Sequence, residues 1–420
     1  MKLWVALVGV AGVVAAFARP NGATQSYVVF LSGDYNGSLA PCGCSSPMMG
    51  GAKRRAFAIR SLGQPGRTVV LENGGFVDNI GRQDELKVET FAEMLPAEGG
   101  TAVNLCYSEA RLGIGAVSSI ARLSGDRLVS LSLQKSDAVS LQPSVVKGPF
   151  AISGVSTRAD QIALGLGEQA VASDDAVSAF IQQAKEGNLK PLLMLDGNRE
   201  AAVKLAQKFP DLALIQYKSM GSPPEKIEYV GKTALCTPGD GGKSIVRLVW
   251  ENGKFSSYLS VLLAPSFKDD DTASRIYKTY LRRVSDEKLL DAVPRTDQGK
   301  FVGSATCIKC HAEAGKVWQH SKHAGALATL EHEGHDRDPD CVPCHVVGLS
   351  SVNGFKSRLQ TPALAFVGCE SCHGPGADHS GLPKQFKLPK VGAKTCQPCH
   401  RPENSPNFDF KTYWAKIKHK

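Results

Sequence analysis

Four short strings near the C-terminal end of this 420-residue chain combine two thiols and an imidazole at fixed spacing. They are Cys307-Ile-Lys-Cys310-His311, Cys341-Val-Pro-Cys344-His345, Cys369-Glu-Ser-Cys372-His373 and Cys396-Gln-Pro-Cys399-His400. Two cysteines one helical turn apart each reach a porphyrin vinyl group and form a thioether. The adjacent histidine then ligates iron from one face. Zinc ribbons also use Cys-x-x-Cys pairs, but they do not require a histidine after each pair. Disulfide scaffolds do not require one either. The spacing therefore points to four covalently attached c-type haems. The thioethers fall on Cys307, Cys310, Cys341, Cys344, Cys369, Cys372, Cys396 and Cys399, with proximal ligands His311, His345, His373 and His400.

These motifs need elements to hold them, and the two ends of the chain differ in kind. All ten histidines lie between His311 and His419. Residues 299–420 are expected to form a mostly α, haem-packed domain. Their apolar content is too low for an ordinary core, so the porphyrins must supply one. Such a tail is expected to be unfolded before haem attachment.

Upstream, β-branched runs recur at Tyr27–Leu31, Thr68–Leu71, Ala102–Leu105, Pro191–Leu195, Leu212–Ile215 and Ser244–Trp250. Amphipathic stretches lie between several of them, such as Asp84–Leu95, Asp175–Ala184 and Ala201–Phe209. Strands alternating with helices predict a layered α/β domain over 19–265. Residues 266–298 read as a helical connector, with Ile276, Tyr280, Val284 and Leu289 on one side.

Residues 1–18 have the layout of a secretory signal. Lys2 precedes an apolar run from Leu3 to Phe17, and Ala16-Phe17-Ala18 offers a cleavage site. The run is short for a spanning helix, which needs about 20 residues. Export to the periplasm, with no membrane span after cleavage, is the expectation; an uncleaved anchor would leave the protein membrane-associated. The net charge of +9 suits steering of acidic redox partners, and haem propionates offset part of it. No basic stripe interleaved with aromatics is present, so nucleic-acid binding is not read from it.

The tail resembles the tetrahaem cytochrome c-554 family. The likeness runs through Phe301-Val-Gly-Ser-Ala-Thr-Cys307, Trp318 with His323-Ala324, Cys341–His345 with Val346-Val347-Gly348, and Val367-Gly-Cys369 through His379. It ends near Tyr413-Trp414 and His419. It implies closely packed haems passing single electrons, with His323, His379 and His419 as distal ligands, each to a haem other than that of its neighbouring motif. In that family the haem of the second motif, here on His345, is often five-coordinate. This chain departs from the pattern at Glu331-His332-Glu333-Gly334-His335, where either His332 or His335 offers a sixth ligand. His320 reads as a surface residue, and Trp318 and Trp414 as packing residues.

Residues 19–265 resemble periplasmic 5′-nucleotidase-type metallophosphatases, carried by Val28–Gly37, Gly50-Gly51 with Arg54-Arg55, Val69–Gly75, Ala102–Gly113 and Gly239–Gly242. The family's metal ligands fail one by one. Its Asp-x-His is Asp34-x-Asn36, its bridging Asp falls on Gly75, and its Asn-His-Glu falls near Tyr107-Ser108-Glu109. Its later histidines fall near Asp196 and Gln216–Met220. Phosphoester hydrolysis by two metals needs those ligands, so no phosphatase activity is expected.

Cys42, Cys44, Cys106 and Cys236 remain. In an oxidising compartment two disulfides are the simplest use of them; a redox-active Cys42/Cys44 pair and a thiolate metal site are the alternatives. Arg54 and Arg55 read as surface ion-pair residues or an anion site. The overall expectation is an exported carrier of electrons between periplasmic or membrane redox proteins, with a catalytically inactive first domain for docking. The alternatives are a multihaem oxidoreductase acting on a small nitrogen or sulfur compound at an open haem, or thiol redox at Cys42/Cys44 coupled to the haems.

Overall fold

The computed structural model describes residues 26–41, 48–134, 139–402 and 404–419. The expected signal segment and the Cys42/Cys44 pair lie outside the described residues. Twelve strands form two six-stranded sheets. They are β1 Tyr27–Ser32, β2 Thr68–Glu72, β3 Ala102–Asn104, β4 Leu128–Val129, β5 Val145–Lys147, β6 Phe150–Ser156, β7 Lys190–Asp196, β8 Leu214–Gln216, β9 Glu228–Val230, β10 Thr233–Cys236, β11 Ser244–Glu251 and β12 Lys254–Leu262.

The first sheet runs β12-β11-β1-β2-β3-β4 and the second β5-β6-β7-β8-β10-β9. Strands β1 to β4 are mutually parallel, as are β6, β7, β8 and β10, while β11, β12, β5 and β9 pair antiparallel at the margins.

The alternation of side chains explains the layering. Val29 and Leu31 of β1 point with Leu71, Ile152, Met194 and Leu248 into a core shared by both sheets. Val28 and Phe30, one position out of phase, pack instead with Ala58 and Ile59 of the helix Ala52–Leu62. Helices Ser173–Glu186 and Arg199–Lys208 cover the second sheet with Val177, Phe180, Ala202 and Ala206. The result is two central sheets between outer helical layers, as the α/β reading requires.

Strand β12 and strand β6 escaped the sequence reading. Ser256, Ser257 and Ser260 give β12 a polar face, and β6 carries Gly154 and two serines. Gly154 is there for space: a Cβ at that position would collide with the Asn104 side chain of the first sheet. The connector helix Asp271–Asp286 is not a free linker. Its Tyr277, Tyr280 and Val284 are buried in the same cluster as Phe91 and Met94 of helix Arg82–Met94.

Arg55 corrects the surface ion-pair reading. It is fully buried between Glu72 (2.6 Å) and Glu98 (2.5 Å). Ser32 Oγ and Tyr35 Oη also donate to Glu72. Burial pushes the Glu72 carboxyl up to about 7 against the pull of Arg55. Arg54 is buried too, donating to the Met48 carbonyl.

The tail is built from short helices and turns. Its one apolar cluster joins Leu290, Leu327, Val342, Val347, Leu349, Phe355 and Leu364. From Ala377 to His419, Ser405 is the sole buried residue among those described. The tail lies against the α/β part through Gln83 Nε2 donating to Asp338 Oδ1 (2.7 Å), an ion pair of Lys87 with Asp340, and Tyr277 stacked toward His335. No helix among the described residues is long and apolar enough to cross a membrane.

Removing one partner from a buried ion network leaves uncompensated charge, which costs about 3–5 kcal/mol. Arg55→Met should therefore lower the unfolding free energy of the α/β part by about that amount in denaturant titration, while Arg54→Met costs less than half as much.

Candidate functional site

The first and fourth motifs share a local build. The second cysteine and the histidine each return a backbone N–H to the first cysteine's carbonyl in the first and fourth motifs, at 2.9–3.2 Å. This turn puts both sulfurs and the imidazole on one side. Thiols of different motifs are neighbours. The Cys307 thiol donates a hydrogen bond to Cys369, Cys399 accepts one from Cys344, and Cys372 lies near Cys396. These sulfurs are thiols here and stand for the thioethers of a haem-loaded chain. The first motif is thus edge to edge with the third, the second with the fourth, and the third with the fourth.

Six histidines form three facing pairs. Ring centres are 6.2 Å apart for His311 and His379, 6.3 Å for His323 and His400, and 5.9 Å for His373 and His419. A metal–imidazole bond of about 2 Å on each side of one ion places ring centres roughly 6 Å apart. Each pair joins a motif histidine to one from a distant stretch, so the rings fit the two axial positions of an iron.

Hydrogen bonds set the ring orientation. A carbonyl can only accept, so Nδ1–H donates from His345 to Ala326 (2.7 Å) and from His379 to Phe386 (2.7 Å), which leaves Nε2 for a metal. His400 Nδ1 meets Ser405 Oγ at 3.2 Å, and the ring of His373 bonds to Pro389. Burial holds His323, His373 and His400 below the ordinary histidine range, and the facing ring adds to this for His323 and His373. Neutral imidazole is the ligating form.

The remaining histidines sit elsewhere. His332 is exposed and pairs with Glu333 (2.8 Å). His335 lies between Tyr277 Oη (3.5 Å) and Cys341 Sγ (3.9 Å). His320 is exposed and bonds to the Lys316 carbonyl. Trp318 donates to the Val367 carbonyl (2.8 Å) and packs on Phe366; Trp414 stacks on Phe410.

One organising residue went unread. Glu370, inside the third motif, is buried and accepts from the N–H groups of Val302, Gly303 and Gly376 at 2.8–2.9 Å. It ties the segment before the first motif to the Gly-Pro-Gly turn that carries His379. A charged residue between the motif's two cysteines was the only sequence signal.

Residues 306–374 match the family described as cytochrome c554 and c-prime. Cytochrome c-554 of Nitrosomonas europaea is 33% identical over 114 residues, covering 23% of this chain and 48% of that protein. The tail is similar to cytochrome c-554. A C-type polyheme cytochrome, OmcB of Geobacter sulfurreducens, is 33% identical over 88 residues, 20% of this chain and 12% of its own. This chain thus spans about half the length of the first curated relative and far less of the second.

Among solved structures, the 5′-nucleotidase precursor of Thermus thermophilus superposes with a TM-score of 0.52 at 14% identity, covering 74% of this chain and 68% of that one. The sulfate thiohydrolase SoxB of the same organism gives 0.50 at 12%, covering 70% and 67%. NAD nucleotidase of Haemophilus influenzae gives 0.51 at 13%, covering 67% and 63%. The α/β part has the fold of that metallophosphatase class.

The positions matching the phosphatase ligands do converge. Asp34 follows β1, Gly75 follows β2, Glu109 lies in the turn of helix Tyr107–Ala110 after β3, Asp196 ends β7 and Lys218 follows β8. At their centre stands the Lys218 ammonium, 3.0 Å from Asp34 Oδ1 and 3.3 Å from Asp196 Oδ1. A metal pair does not fit this arrangement: a cation already fills it, and the bridging carboxylate is a glycine whose Cβ would collide with Asp34.

Cys106 lies beside the same centre, donating to the Asn73 carbonyl (3.1 Å), and burial raises its thiol well above the usual range. Cys236 sits in the core between the sheets, pushed up to about 12 by burial. Both are free, so the two-disulfide expectation does not hold for them.

Burial pushes Asp34 from 3.8 up to about 6, with Lys218 pulling the other way. The folded value exceeds the unfolded one, so the associated stability is present below pH 4 and lost as pH rises through 6. A displacement from 3.8 to about 6 corresponds to about 3 kcal/mol. Relative to Asp34→Asn, the wild-type chain should lose about that much unfolding free energy between pH 4 and pH 7. Parallel pH profiles for the two proteins in denaturant titration would contradict this.

Proposed function

We propose that this chain is an exported tetrahaem c-type cytochrome that carries electrons between periplasmic or membrane redox proteins, with a catalytically inactive metallophosphatase-like domain used for docking. The observation that carries the reading is the set of three facing histidine pairs beside four attachment motifs. The proposed division is 19–265 for the α/β domain, 266–298 for the connector and 299–420 for the haem domain.

When bound, haem iron supplies reversible one-electron exchange at a potential set by its ligands and surroundings. The protein's own residues do the rest. The eight motif cysteines tether the group. His311 with His379, His400 with His323 and His373 with His419 would each hold one iron, and His345 would hold a fourth. Two imidazoles suit electron transfer, because neither oxidation state demands loss of a ligand. Backbone acceptors at Ala326, Phe386 and Pro389 lock ring orientation and raise ligand basicity.

The α/β domain supports this role by contact. It grips the segment leading into the second motif through Gln83 and Lys87, with Tyr277 of the connector beside them, and its converging strand ends lack the ligands for hydrolysis.

Intact mass of the secreted protein should show four haems on a chain beginning after Ala18. Paramagnetic resonance of the oxidised protein should give bis-histidine low-spin signals for three irons per chain. A fourth such signal would bring His332 or His335 into the shell of the His345 iron. His379→Ala should remove one of the three and leave haem content unchanged, since His379 lies outside the attachment motifs. An unaltered spectrum for that variant would reject the His311/His379 assignment.

A further inference from the structure

We propose that the Lys218 ammonium is a tethered substitute for the metal ions of the phosphatase fold. It clasps the two sheets at their converging strand ends and shuts divalent cations out.

Four observations carry this. The first is position: Lys218 falls within Gln216–Met220, where the resemblance placed a histidine ligand, and its Nζ lies between carboxylates of both sheets. Asp34 belongs to the end of β1 in the first sheet and Asp196 to the end of β7 in the second. The Lys218 backbone N–H also donates to the Gly197 carbonyl (2.9 Å), which fixes the root of the side chain.

The second is saturation. Asp196 Oδ1 faces Lys218, while Oδ2 accepts from the Tyr107 N–H (2.9 Å) and Ser156 Oγ (2.7 Å). Glu109 accepts from the Phe76 N–H (2.7 Å) and Ser108 Oγ (3.0 Å). Lys218 takes Asp34 Oδ1 and the one Asp196 oxygen that the other donors leave, so those two oxygens are what its removal would free for a cation.

The third is shape. A Cβ on Gly75 would collide with Asp34 Oδ1 and lie 2.9 Å from Asp34 Cα, so a bridging carboxylate has no room beside Asp34 as Lys218 holds it. Gly75 is also held at φ 71°, a conformation that disfavours any other side chain.

The fourth is charge. Burial works against the ammonium, but the carboxylates of Asp34, Asp196 and Glu109 around it raise its affinity for the proton well above the ordinary lysine value. Burial likewise works against ionised Asp196, and Lys218 with the Tyr107 and Ser156 donors reverses that. A second cation within a few ångströms of a fixed ammonium meets strong repulsion in so dry a place.

The test uses the full haem-loaded chain and manganese(II). Bound ion is counted from loss of the free-ion resonance signal, and thermal unfolding is followed with and without the ion. Wild type and Asp34→Asn should bind equal amounts, because ions at haem propionates or the surface are common to both. Wild type binding one more ion than Asp34→Asn would overturn the proposal.

Lys218→Met should melt about 10 °C lower than wild type. Manganese(II) should recover part of that loss, with no effect on wild type or on Lys218→Met/Asp34→Asn. A Lys218→Met protein as stable as wild type, or one that manganese(II) leaves unchanged, would also overturn it. If Lys218→Met does not fold, the comparison of wild type with Asp34→Asn still decides.

Discussion

The arrangement of the tail depends on opposed imidazoles. Each facing pair joins residues far apart in sequence: 68 positions separate His311 from His379, 77 separate His323 from His400, and 46 separate His373 from His419. Three such pairs join short helices and turns, and from Ala377 to His419 only Ser405 among the described residues is buried. An ordinary domain reaches the same end by burying apolar area. Here the ring separation leaves a gap suited to a planar group, and that group must contribute the apolar area the chain lacks.

The α/β part solves a different problem with similar economy. A fold whose strand ends usually converge on metal ions still brings acidic side chains together after those ions' ligands have gone. Left alone, Asp34, Asp196 and Glu109 would repel across a buried junction. A lysine answers the repulsion from within the chain. Elsewhere in the same part, Arg55 does comparable work between Glu72 and Glu98. In both places a cation is placed where two acidic side chains approach out of water.

Much of this was legible in the residues. The Cys-x-x-Cys-His motifs are local in sequence, so spacing alone pointed to haem attachment, and residues 306–374 match a cytochrome c554 family. The longer inner strands announced themselves because β-branched side chains crowd a two-sided core. Strands β12 and β6 did not, since serine and glycine dilute the pattern on their other face. The distal histidines were named through family likeness; no spacing rule could have paired His323 with His400.

Lys218 and Glu370 were missed for a shared reason. Each acts through partners scattered along the chain, Lys218 through Asp34 and Asp196 and Glu370 through the Val302 and Gly376 amides. A single lysine or glutamate in a sequence carries no mark of such company. Arg55 misled in the opposite sense, because arginines are seldom wholly buried.

The uneven distribution of the core also has a meaning in time. The part that lies earlier in the chain holds both sheets and their helices, packed on apolar cores. The part that follows it has little to collapse around. Domains fold in the order in which they are made, so the α/β part can be complete while the tail is still extended and open to the machinery that attaches haem. Its Gln83 and Lys87, with Tyr277 of the connector beside them, then offer a ready surface for the stretch around Asp338 and Asp340. The first half of the molecule can therefore serve as the template on which the second half is assembled.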